Sequence, residues 1–158
     1  MTAADLIRPL TAGRPGEWHG LAGTAVALFD DALGSPVAIA QAELGYYPAE
    51  RRDYGGPIVW ARNGQAVMVE VACDLAAAAL DGLEAPCATL PNEILLPDGY
   101  PHEHLFCRRG LVVTLVQPYD GGENRIVRLR GIAPIADPAE FGPELYRAFE
   151  DQVHWGAQ

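Results

Sequence analysis

Apolar residues between Glu17 and Leu33 fall at Trp18, Leu21, Ala22, Ala25, Val26, Phe29, Ala32 and Leu33. This spacing predicts a helix with one apolar stripe, stopped by Gly34 with Pro36 just beyond. Residues 1–16 hold a short apolar turn (Leu6, Ile7, Leu10) and read as an N-terminal arm. Pro36–Ala42 reads as a short strand. Ile58–Arg62 and Gln65–Val71 flank Asn63-Gly64, the strongest short signal for a hairpin. Asp74 caps a predicted second helix, Leu75–Leu83, lined on one side with Ala. Cys87–Leu90, Leu105–Arg108, Leu111–Gln117 and Arg125–Ile132 read as further strands. Asp137-Pro138-Ala139-Glu140 has the form of a capping box with Pro at the first helical position. It opens a final helix over residues 137–152, with Phe141, Leu145, Phe149 and, just past its end, Val153 turned inward.

The pattern repeats. Asp31, Leu33 and Pro36 match Asp81, Leu83 and Pro86, each set closing a helix and opening an extended segment. Arg62, Gly64 and Val67 match Arg108, Gly110 and Val113 around a turn. The order of elements agrees as well, so residues 17–71 and 74–132 are read as two diverged helix–strand–hairpin units. The expected fold is one α+β domain over residues 1–158. It has an antiparallel sheet of roughly five to seven strands, helices on one face and a C-terminal helix.

Tandem units of this kind, each a helix, an L-x-x-P stop and strands around a Gly turn, resemble the β-lactamase-inhibitor-protein fold. They are also similar to small outer-membrane-assembly lipoproteins and to bacterial immunity proteins. The resemblance covers roughly residues 17–132 and implies a protein that binds another protein. The chain departs from it in showing no secretion signal, no lipobox and no predicted disulfide.

Charge narrows the partners. The net charge is −10 and the pI about 4.7, which opposes nucleic acid and anionic membrane surfaces and suits a partner with a basic surface. All eleven basic residues are Arg, as in a GC-rich genome, so lysine chemistry is absent. Cys73, Cys87 and Cys107 are odd in number and widely spaced. They read as three free thiols in a cytoplasmic protein. No N-terminal signal peptide and no apolar run of membrane-spanning length is read.

Candidate chemistry is sparse. His102 and His104 share a face if their segment is extended and are the candidate metal ligands, with Cys107 or His19 needed from the fold as a third; no metal site and no cofactor is predicted from them. Cys107 is three residues from His104, and the three side chains are the polar set of an alternative small enzyme or ligand-binding domain. Arg108, Arg109, Arg125, Arg128 and Arg130 are expected to pair with nearby carboxylates. No catalytic residue is assigned.

Two polar segments, 43–56 and 91–104, are read as equivalent loops that form one binding face. Tyr and Arg are the residues that anchor interfaces. The partner-binding candidates are Glu43, Tyr46, Tyr47, Glu50, Asp53, Tyr54, Glu93, Asp98, Tyr100 and Glu103. The expected function is a non-enzymatic, acidic protein-binding domain: an immunity-type inhibitor that neutralises a toxin or enzyme. An accessory homodimer joined at an open sheet edge is the other alternative.

Overall fold

The computed structural model describes residues 1–44, 47–91 and 96–136; the helix predicted over 137–152 lies outside them. The elements are helix α1 (Ala3–Thr11), strand β1 (Thr24–Ala25), helix α2 (Val26–Leu33), then β2 (Ala38–Leu44), β3 (Tyr47–Asp53), β4 (Ile58–Arg62), β5 (Gln65–Ala76), β6 (Ala88–Pro91), β7 (Gly99–Phe106), β8 (Leu111–Pro118) and β9 (Arg125–Gly131).

All nine strands join one antiparallel sheet in the order β2-β3-β4-β5-β9-β8-β7-β6, with β1 beside β5. The expected α+β fold of helix–hairpin repeats is therefore wrong. Among the described residues the chain is mostly sheet, with two short helices. Two meanders, β2 to β5 and β6 to β9, meet where β5 pairs β9. The predicted repeat does not keep register between them. It equates the β4–β5 turn with the β7–β8 turn, which are the third turn of one meander and the second of the other.

Two helix predictions fail for identifiable reasons. Within 17–33 only Val26–Leu33 is α-helical. Trp18 and Leu21 are buried, but Leu21 N–H donates to the Ile132 carbonyl and Gly20 sits at φ 113°, so this stretch is a strap along the sheet. The Ala-rich segment is drawn into the sheet: Leu75 and Ala76 pair with Ile126 and Arg125, and only Ala77–Leu80 form a 3-10 turn. Cross-strand pairing overrides the helical preference of Ala. Conversely, the arm contains helix α1, nucleated by a capping box in which Thr2 Oγ1 accepts from Asp5 N–H and the Asp5 carboxylate accepts from Thr2 N–H.

Alternation along the strands divides the core in two. One face takes Val59, Val69, Val71, Val113, Ile126 and Leu129 under α1, α2 and the strap, with Phe29 of α2 fully buried. A fully buried Phe contributes about 1.5–3 kcal/mol. The other face takes Trp60, Met68, Leu105 and Val112. No helix among the described residues is long and apolar enough to cross a membrane.

Candidate functional site

The two segments predicted to make one binding face lie at opposite margins of the sheet. Residues 47–53 are strand β3, next to the β2 margin, and 99–104 belong to β7, next to the β6 margin. Four strands, β4, β5, β9 and β8, stand between β3 and β7. Tyr46 and Glu93 lie outside the described residues.

At the β2 margin the sequence brings charge together across three elements. Arg52 on β3 pairs across the ladder with Val59 and so faces α2. Its guanidinium grips both oxygens of Asp30 on α2, at 3.0 and 2.9 Å, and also binds Glu50. The Tyr54 hydroxyl donates to Asp30 Oδ1 at 2.8 Å and accepts from Arg52 Nε at 3.2 Å. Burial pushes the Asp30 carboxyl up, but the bonds from Tyr54 and Arg52 outweigh it and hold the group below its ordinary value. Glu50 and Tyr54, predicted as partner contacts, are thus parts of an internal network. Asp53 is another turn-builder, its carboxylate accepting from Gly55 N–H at 2.8 Å.

Beside this network lies an open groove of about 610 Å³, lined by Val26, Gln41, Pro48, Glu50, Arg52 and Asn63 among others. Strand β2 reaches it through Gln41. That strand pairs with β3 on one side only among the described residues, and Ala38 through Gln41 and Glu43 are exposed. Ile39, Gln41 and Glu43 share the face of Arg52 and Glu50; Ala38, Ala40 and Ala42 share the other. Val37 and Ile39 are 71% and 52% exposed. Tyr47 is exposed too, with the Arg62 guanidinium 5.7 Å from its ring centre. Arg62 also donates to the Leu44 and Pro48 carbonyls.

At the β6 margin Tyr100 is half exposed, its ring edge-on to Tyr119 at 4.7 Å, and Asp98 is exposed. Glu103 cannot reach a partner. It is 1% exposed, accepts from Thr114 Oγ1 at 2.7 Å and lies 3.3 Å from Arg130 Nη1. Arg130 is fully buried and also binds Glu70 at 3.3 Å. The half-buried Arg128 sits beside it, within reach of the charges of Arg130, Glu70, Glu103 and Arg51. The arginine pairings are of the kind expected from sequence: Arg109 binds Glu84 and Arg125 binds Asp74 as well.

His102 and His104 do share a strand face, opposite Leu115 and Val113. Burial and the charge of His102 hold the His104 imidazole below its ordinary pKa. Cys107 packs on the other face, so the polar set of the enzyme alternative does not converge. Among the described residues no three His, Cys, Asp or Glu side chains are grouped to hold a metal.

The thiol prediction is also corrected. Cys87 and Cys107 form a disulfide, with Cα atoms 6.0 Å apart, that ties the start of β6 to the end of β7. Sequence spacing missed it because the sheet, not the local chain, brings the two together. Two of the three thiols on which the expectation of a reducing compartment rested are therefore paired. Cys73 is the remaining thiol, pushed up to about 11 by burial and by Asp74.

Ile39, Gln41 and Asp30 were not singled out by sequence reasoning. Nothing local in the sequence links Asp30 to a residue 22 positions away. Compared with known protein families, with curated proteins and with solved structures, the chain gives no match.

Proposed function

We propose that the chain is an acidic protein-binding domain that docks a basic protein at the β2 margin of its sheet. One observation carries this reading: among the described residues β2 is a long, exposed edge strand whose one charged side chain is Glu43. Natural edges are blunted by shortness, Pro, bulges or inward charges. The opposite margin uses two of these devices, since β6 has four residues and ends in Pro91. β2 has seven, with no Pro, no bulge and exposed Ile39.

The finer reading is an immunity-type inhibitor that neutralises a toxin or enzyme. Its support is the net charge of −10, which speeds encounter with a basic target and disfavours acidic ones. A second copy of the chain is a poorer occupant of the margin, because two such charges repel.

The test is capture from native lysate with the wild-type chain and with Ile39→Asp, which changes an exposed side chain. The reading expects a stoichiometric basic protein that the variant fails to retain and whose activity the wild type inhibits. Equal capture by both chains, or self-association as the only complex, overturns it.

A further inference from the structure

We propose that β2 accepts, as an added strand, an extended partner segment in which basic and bulky apolar side chains alternate. This rests on the protein-binding reading above and specifies its partner. The main chain of β2 provides a ladder for strand addition, in which backbone hydrogen bonds give affinity and alternate side chains give specificity. Side chains of an added strand fall beside those of β2, face by face.

The two faces ask for different residues. On the α2 side the added strand meets Ile39, Gln41 and Glu43, with Glu50 and Asp30 behind them. Carboxylates predominate here: Asp30, Glu43 and Glu50 outnumber Arg52 and Arg62. Glu43 is exposed, so basic side chains gain attraction without stripping Asp30 from Arg52. The groove of about 610 Å³ gives long Arg or Lys stems room to lie along Pro48 and Val26. On the other side Ala38, Ala40 and Ala42 leave a shallow surface whose cross-strand neighbours are Asp53, Arg51 and the buried Ala49, with buried Leu44 at its end; bulky side chains can pack there over the alanines and the Arg51 stem. Bulky apolar side chains fill that surface, whereas small ones leave it wet.

The experiment measures binding of labelled nine-residue peptides to the full chain by fluorescence anisotropy. The first peptide alternates Arg and Val. The second alternates Glu and Val. The third repeats the first with alternate backbone amides N-methylated, which keeps the charge and blocks the ladder. The proposal expects the Arg/Val peptide to bind, both others to bind at least about tenfold more weakly, and Glu43→Arg to weaken the first peptide by a similar factor. Equal binding of the N-methylated peptide means charge attraction alone and overturns the proposal. If no peptide binds but a lysate protein is still captured and lost with Ile39→Asp, the alternating strand is wrong and the protein-binding reading stands. If neither binds, both fall.

Discussion

The indole of Trp18 lies so close to the backbone of Gly131 that a Cβ there would stand 2.7 Å from Cε2 and nearer still to Cζ2. The same indole donates from Nε1 to the Gly110 carbonyl at 2.9 Å and is 1% exposed. Gly131→Ala forces the ring off its seat. Overpacking of this kind costs about 1–3 kcal/mol, and urea unfolding should show that loss. Trp18→Phe loses both the hydrogen bond and part of the buried ring system, so it should cost roughly 2–4 kcal/mol and leave the slope of the transition unchanged.

The Asp30–Arg52–Tyr54 network gives a pH signature. The folded pKa of Asp30 is depressed, so its contribution is full above the unfolded value of about 4. It is lost as the pH falls through the folded value. Asp30→Asn should therefore destabilise the chain at pH 7 and approach wild-type stability below about pH 4. Denaturant midpoints at several pH values test this, and a difference that persists unchanged into acid would contradict it. Tyr54→Phe should cost about 1 kcal/mol at neutral pH.

The disulfide makes stability depend on reductant. A cross-link with a sequence separation of 20 stabilises by about 3 kcal/mol on the chain-entropy account. Cys87→Ser should lose that amount when compared with oxidised wild type. Under reductant the two proteins should unfold at the same midpoint. A wild-type midpoint indifferent to reductant would mean that the bond does not stabilise the fold.

His104 should add a second pH dependence nearer neutrality. Its folded pKa is depressed by burial and by His102. Its contribution is present above about pH 6.5 and lost as the pH falls through the folded value, because the unfolded chain then binds the extra proton. Wild type should weaken between pH 7.5 and 5, and His104→Gln should flatten that decline. Following the imidazole by NMR locates the folded pKa directly.

Legibility in the sequence followed local determinism. Asn63-Gly64 was readable because that turn needs positive φ at both residues, and they sit at 53° and 74°. The strands from Ile58 to Arg62 and from Leu111 to Gln117 were readable because both lie in the core. Tyr47–Asp53 was read as loop because β3, near a margin, has intermediate or exposed residues at six of its seven positions and lacks clean alternation. Trp18 and Leu21 matched a helical spacing by being buried, although different neighbours bury them. The β2 margin had no signature, since an edge strand is defined by the absence of a neighbour and not by its own residues.

The place of β9 bears on how the chain is made. The last described strand in sequence is a central one in space, with Val69 of β5 opposite Gly131 on one side and Leu111 of β8 opposite Gly131 on the other. During synthesis β5 and β8 must wait as open edges until residue 131 has left the ribosome. Contacts this distant in sequence close slowly, and waiting edges invite the wrong neighbour. A nascent chain stalled before Arg125 should therefore be protease-sensitive and chaperone-bound, and release of β9 should close the whole sheet in one cooperative step.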